Sequence, residues 1–207
     1  MVDFHNILID PLPDTIQVDG RDFSINTDFR TGILFEMLSN DVKMSDKDIA
    51  LMTLDLYFDG PIPANLEEAY SGILWFYRCG YEPPKTRTRD RQTASDRSIE
   101  QRIFDYDIDA PLIYAAFRSQ YNIDLQDIEY LHWWKFTAMF QGLHEDERIC
   151  EIMGYRAIDL SKIEDKGIRK RYAALKSKYA LPNHLSVEDK ITRAGNVFAG
   201  AMMNDGQ

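Results

Sequence analysis

The sequence predicts a mainly α-helical fold carrying a small N-terminal β-hairpin. Three observations predict it. Most of the chain repeats apolar residues at helical spacing over stretches of roughly 9–18 residues. Those stretches are punctuated by Ser, Asn and Asp caps and by Gly and Pro breakers. One Asp-Gly pair, Asp19-Gly20, separates two short runs in TIQVDGRDFSI (15–25), the pattern of a tight hairpin whose two central residues need positive φ.

The hairpin register sets Ile16 opposite Phe23 and Val18 opposite Arg21. Two strands alone are marginally stable, so the hairpin must lie on another element. The first helix follows, capped by Asn26 or Thr27, with Phe29, Ile33 and Met37 on one stripe and Leu34 and Leu38 beside it. The second opens at Ser45, with Asp48 at N3 as a near capping box, and runs to Phe58. Ile49, Met52 and Leu56 point inward, and Leu51, Leu54 and Phe58 widen the stripe into that of a well-covered helix. Pro61 and Pro63 break the chain. Asn65 and Glu68 start the third helix, apolar at Leu66, Ala69, Ile73, Phe76 and Tyr77, which Gly80, Pro83 and Pro84 stop.

Residues 82–102, EPPKTRTRDRQTASDRSIEQR, hold one strongly apolar residue, Ile99, and read as a polar linker. The expected organisation is therefore 1–81, the hairpin plus three helices; 82–102, the linker; and 103–207, a C-terminal helical region. The two halves can pack as one domain.

In the C-terminal region Pro111 suits a helix start, and Leu112, Ala116 and Phe117 share a side. Asn122 ends that helix and Asp124 caps a fifth, from about Leu125 to Gly142. A sixth spans about Asp146 to Met153. Asp159 or Ser161 opens the seventh, with Ser161 and Glu164 as a capping box and Ile168, Tyr172, Leu175 and Tyr179 as one stripe. Leu181 and Pro182 end it. A last helix over 186–203 is capped by Ser186 and apolar at Ile191, Ala194, Val197 and Phe198, with MMNDGQ as a frayed tail.

The chain has 207 residues, enough for one ordinary domain or two small ones. No window of eighteen apolar residues predicts a membrane span, and MVDFHNILID carries acid where a secretory signal carries base. The two cysteines, Cys79 and Cys150, form no disulfide framework and read as buried free thiols of a reducing compartment. The net charge of −10 is localised. Residues 1–70 hold 14 Asp/Glu against 4 Lys/Arg, and residues 71–207 hold 20 of each. Such an acidic third repels nucleic acid and favours a basic protein surface, or simply keeps the chain soluble.

LHWWKF (131–136) is the densest aromatic block. On a helix, Ile128, Leu131, Trp134, Lys135 and Ala138 lie near one side, and Tyr130, Trp133, Thr137 and Phe140 on the adjoining one. A central packing helix explains this arc without a ligand, the Lys135 stem lying over apolar surface. The other reading is an aromatic protein-binding face.

Catalytic and metal chemistry finds no footing. The histidines His5, His132, His144 and His184 make no HExxH and sit with no Cys pair. There is no GxGxxG, GxxxxGK[ST] or GxSxG. Asp105, Asp107 and Asp109 in DYDID resemble a calcium loop. Its sixth and twelfth positions would be Ala110 and Ala116 where Gly and Glu are required, so the acids are read as keeping a loop soluble. The expectation is a protein that is not an enzyme, with no cofactor and no metal. Two basic stretches remain, KTRTRDR (85–91) and residues 162–178, the latter with seven basic residues against two acidic. They suit phosphate binding or an acidic protein surface, including the N-terminal third of another copy.

INTDFRTGILFEML (25–38), YAAFRSQYNIDL (114–125), LHWWKFTAMFQGL (131–143), IMGYRAIDLSKI (152–163) and YAALKSKYALP (172–182) together resemble the bacteriophage Gp15 family, found in phages and prophages of Gram-positive bacteria. The resemblance spans roughly residues 15–182 and is weakest over 82–102. It implies a helical assembly-protein fold and a product encoded between the major tail protein and the tape measure protein. Proteins in that position act as tail assembly chaperones. The implied role is non-enzymatic: binding the tape measure protein in the host bacterial cytoplasm, self-associating, meeting the major tail protein during tube polymerisation, and being absent from the mature virion. The resemblance carries no catalytic residues. It places protein contacts at Trp133, Trp134, Phe136 and Phe140, or on the first helix at Phe29 and Ile33. The alternatives are a minor structural or adaptor protein retained in the particle, and a nucleic-acid-binding protein using 85–91 and 162–178.

Overall fold

The structure of the protein is a computed structural model that describes residues 6–41, 43–81, 102–182 and 187–201, the last of these by backbone alone at 187–189 and 199–201. The expected linker lies outside the described residues except for Arg102, as do Ser186 and the MMNDGQ tail. Among the described residues there are eight α-helices and one two-stranded antiparallel sheet. The fold is thus mainly α with a small N-terminal hairpin.

The chain divides into two compact units. Unit 1 gathers the described residues of Met1–Arg91, Tyr130–Ala138 and Val187–Gln207; unit 2 gathers those of Gln92–Glu129 and Met139–Ser186.

Unit 1 begins with β1 (Thr15–Val18) and β2 (Arg21–Ser24), paired with Ile16 opposite Phe23 and Val18 opposite Arg21. Asp19 and Gly20 both have positive φ, at 49° and 72°, as the turn requires. The hairpin rests on α3 (Leu66–Tyr77). Ile16 and Val18 are buried there, and the Asp19 N–H donates to Glu68 Oε2 at 2.8 Å. Asn65 caps α3, its Oδ1 accepting from the Glu68 N–H at 3.2 Å, and its Nδ2 donates to Asp19 Oδ1 at 3.0 Å. One cap thus serves a helix start and a hairpin turn together.

α1 (Phe29–Asn40) is capped by Asp28, whose Oδ1 accepts from the Arg30 N–H at 3.0 Å, and not by Asn26 or Thr27. Its buried face is Phe29, Thr31, Gly32, Phe35, Glu36 and Ser39. The expected stripe is overturned beyond Phe29, because Leu34 and Met37 are exposed. α2 (Asp46–Tyr57) starts at Ser45, whose Oγ accepts from the Asp48 N–H at 3.1 Å. The Asp48 carboxylate meets the Ser45 hydroxyl at 2.6 Å, so the box does not close on the backbone. Ile49 and Leu54 are buried as expected, whereas Met52 and Leu51 face solvent; Ala50, Thr53 and Tyr57 take the inner face instead. α8 (Val187–Ala201) packs on α1, α2 and α3 through Ile191, Ala194 and Phe198. The Tyr70 hydroxyl donates to Ile191 O at 3.2 Å, and its ring lies 5.8 Å from that of Phe198.

In unit 2, α4 (Ala110–Tyr121) carries Pro111 in its first turn and ends at Asn122, which adopts the left-handed conformation at φ 54°. Its inner residues are Ile113, Ala116 and Phe117. α6 (Arg148–Ala157) packs between α4 and α7 (Lys166–Lys178). The capping box expected at Ser161 and Glu164 is replaced by two starts. Asp159 opens a short 3-10 turn, Leu160–Lys162, and Asp165 caps α7 by accepting from the Ile168 N–H at 2.7 Å.

The fifth helix is the largest departure. α5 spans Trp133–Gln141, eight residues shorter at its N-terminus than the helix expected from Leu125. Residues 131–133 instead run alongside Thr27–Phe29: the Phe29 N–H donates to Leu131 O and the Trp133 N–H to Thr27 O, both at 2.8 Å, bridging Asp28 and His132. The apolar periodicity of 125–132 is compatible with a helix, but residues 125–127 make a turn in which the Ile128 N–H donates to Asp124 O, and the backbone groups of 131–133 are claimed by a segment a hundred residues earlier.

Candidate protein-interaction site

Trp133, Trp134 and Phe136 are interior residues, at 3%, 4% and 0% exposure. α3 ends beneath them, and its last carbonyls lack intrahelical donors. The two indoles supply them: Trp133 Nε1 donates to Tyr77 O at 2.7 Å and Trp134 Nε1 to Phe76 O at 2.8 Å. A Schellman-type turn completes the end, with the Cys79 N–H on Phe76 O at 3.0 Å and the Gly80 N–H on Trp75 O at 2.9 Å. Cys79 and Gly80 both take positive φ there, at 54° and 79°.

The rings stack in one run. Tyr77 and Trp133 lie 5.4 Å apart at 14°, Trp133 and Phe136 5.7 Å apart at 20°, and Phe136 and Phe29 5.0 Å apart at 22°. The Arg30 guanidinium covers the outer face of Phe29 at 4.6 Å, a cation–π contact at the end of the stack. Gly32 lets α1 approach it, since a Cβ there would fall 2.3 Å from Trp133 Cε3. Phe140 goes elsewhere: it packs in unit 2 against Phe104 at 5.0 Å and Tyr106 at 6.1 Å. The aromatic block therefore forms two interior clusters, and the rings of Trp133, Trp134, Phe136, Phe140 and Phe29 are largely covered within the fold.

His132 is a fastening of the same region. Its Nδ1 accepts from the Trp134 N–H at 3.1 Å, which places the ring proton on Nε2, 3.1 Å from the Pro13 carbonyl. Burial pushes its pKa below the usual 6.5, with Lys135 acting in the same direction and the Pro13 carbonyl and Asp14 opposing. Burial likewise pushes the Cys79 thiol up to about 11 and raises that of Cys150; both cysteines are half-buried and free, and neither forms a thiolate readily near neutral pH.

Two of the three acids of DYDID are structural, which corrects the reading of Asp105 and Asp109 as solubilising, while Asp107 is exposed. Asp105 and Asp109 are buried. Asp105 Oδ1 accepts from the N–H groups of Asp107 and Ile108 at 2.7 and 2.9 Å, and Arg102 pairs with its other oxygen. Asp109 receives Arg156 through two bonds at 2.6 and 3.0 Å, with both side chains about 95% covered. Arg156 also donates to Tyr179 O at 2.6 Å and to Ile103 O at 2.9 Å. Among the described residues no group of His, Cys, Asp or Glu is arranged to hold a metal, and no helix is long and apolar enough to cross a membrane. His5 and His184 lie outside the described residues.

The first helix, the other expected place of contacts, keeps an outward apolar side. Ile33 is half-buried, Leu34 is 50% exposed and Met37 is 38% exposed. Residues 33, 34 and 37 share one side of a helix, since 3.6 residues make a turn. α1 thus has two contact faces, a mixed one closed by the stacked rings and an apolar one that is open. The open face includes Ile33, one of the two contact residues expected on this helix; the other, Phe29, is inside. An exposed apolar stripe rather than a single residue marks an interaction surface. Sequence periodicity finds these side chains but assigns them to the wrong side, because the true inner face is built from Gly32, Thr31 and Ser39.

The family model described as the bacteriophage Gp15 protein matches residues 8–181 of the chain. Neither a curated protein nor a solved structure matches it.

Proposed function

We propose, for a chain that belongs to the bacteriophage Gp15 protein family, a role as a tail assembly chaperone that binds the tape measure protein without catalysing a reaction. One observation carries this reading: α1 leaves Leu34 and Met37 open to solvent beside the half-buried Ile33, after its other face has closed the aromatic core. A helical client laid along such a stripe loses apolar area to it through a few side chains per turn, and contacts of that kind are individually weak enough to be displaced. The polymerising tail tube, built of the major tail protein, is the natural competitor. The site of action is the host bacterial cytoplasm, and the protein leaves before the particle is finished.

Co-expression with the tape measure protein encoded by the same phage tests the proposal, with light scattering after size exclusion as the readout. The expected result is a soluble complex with several copies per client, lost in the double variant Leu34→Glu/Met37→Glu while the helical circular dichroism is kept. An insoluble client with this protein eluting alone sinks the reading. Detection of the chain in purified virions would instead support a retained adaptor.

A further inference from the structure

Two other exposed faces, one in each unit, have matching chemistry. On α2, Asp48, Leu51, Met52 and Asp55 fall at i, i+3, i+4 and i+7, and so on one side. Leu51 is 40% exposed and Met52 48% exposed, with Asp59 just past the helix end. On α7 no residue is fully buried, and the run Lys166–Arg171 lies entirely at the surface. There Ile168, 51% exposed, is surrounded in sequence by Lys166, Arg169, Lys170 and Arg171. One face is an apolar pair set among acids; the other is an apolar residue set among bases. Each face is open to solvent in its own unit.

We propose that the occupant of the α2 face is the first half of α7 from a second copy of this chain. The contact sets Ile168 against Leu51 and Met52 and the basic residues against Asp48, Asp55 and Asp59. Because the two patches differ, the contact is heterologous. A pair joined through one such contact leaves one α2 face and one α7 face free; it closes as a symmetric dimer if these two meet reciprocally, and otherwise assembly continues into a ring or an open array. The association depends on salt, since exposed charges are screened beyond about 10 Å at 0.1 M ionic strength. This inference does not need the tail-assembly reading and uses no residue of the open α1 face.

The test is the mass in solution of the full chain alone, by light scattering after size exclusion, at about 0.05 M and about 0.5 M salt, which changes screening several-fold. The expected result is a multiple of 24.1 kDa at low salt that falls toward one chain at high salt. The triple variant Arg169→Glu/Lys170→Glu/Arg171→Glu and the double variant Asp55→Lys/Asp59→Lys each elute as single chains. Mixed together they associate again, because the unaltered α2 face of one meets the unaltered α7 face of the other and the two reversed faces are also opposite in charge. If either charge variant loses its helical circular dichroism, Ile168→Glu and Met52→Glu replace the pair, with the same outcomes. The proposal is overturned by single chains at both salts. Assemblies that salt and both variants leave unchanged overturn it too, as does loss in one variant but not the other. Low-salt species whose ultraviolet absorbance shows bound nucleic acid also overturn it and assign the basic face to that ligand.

Discussion

Gly32 shows how much one missing methyl group can decide. In an isolated helix, alanine is favoured over glycine by about 1 kcal/mol. Here the added Cβ would meet the Trp133 ring at 2.3 Å, and that ring cannot withdraw. It is stacked on Tyr77 and Phe136, and its Nε1 donates to Tyr77 O. Gly32→Ala is therefore expected to destabilise the protein by about 1–3 kcal/mol or more, the usual cost of overpacking, despite its better propensity. A urea midpoint equal to or above that of the wild type would contradict this. His132 gives a second residue-scale prediction. Its folded pKa lies below the usual 6.5, so at pH just under 6.5 the unfolded chain takes up a proton that the folded chain refuses. The stabilisation is complete above 6.5 and is lost as pH falls through the folded value. A proton on Nδ1 would also face the Trp134 N–H that now donates to it. The ring nitrogens of His132, followed by NMR, should titrate with a midpoint below 6.5.

At the scale of elements, the ends of helices carry more than helix formation. Asp28 caps α1 through Oδ1, and its Oδ2 accepts from the Leu131 N–H at 3.3 Å. Its backbone position pairs with His132. One residue therefore fixes where α1 begins and holds the extended segment whose end launches α5. Asp28→Ala is expected to cost about 2 kcal/mol, the upper part of the range for a lost N-cap, with early hydrogen exchange at the Arg30 and Leu131 amides. A loss confined to the Arg30 amide would show that the second role is minor. The caps at Ser45 and Asn65 and the turn at Asp19-Gly20 are legible from the sequence because their partners lie within four residues. The start of α5 is not, because its determinant is a pairing between residues 27–29 and 131–133.

For the whole molecule, the chain order is not the order of packing. Residues 130–138 and the last helix belong with the N-terminal third, while the described residues of 92–129 and 139–186 make the second unit. Unit 2 is tied across 47 positions by the Arg156–Asp109 pair. Removing one partner leaves a buried charge unmatched, so Arg156→Ala is expected to destabilise by about 3–5 kcal/mol. Replacing both, as Arg156→Met with Asp109→Leu, is expected to recover part of that loss, though the carbonyls of Tyr179 and Ile103 then go without their donor. Chemical denaturation of the two variants side by side checks this. Recovery in neither would show that those carbonyl bonds matter more than the charge pair. On α1, α2 and α7 the large apolar residues left outward are aliphatic: Leu34, Met37, Leu51, Met52 and Ile168.

By itself, the sequence determined what depends on neighbours along the chain. These are the helical class, the hairpin and its register, most helix ends, and a family resemblance carried by short motifs, the family being one whose model matches residues 8–181. Only the tertiary structure decided which side of α1 and α2 faces in, where α5 starts, why Gly32 is glycine and why Asp105 and Asp109 are acids. The physical reason is common to all of these. Periodicity records how apolar a side is, whereas burial depends on how closely another element can approach it. On α1 the close approach is over Gly32, and Thr31 and Ser39 are buried on the same helix, residues a hydrophobic count passes over.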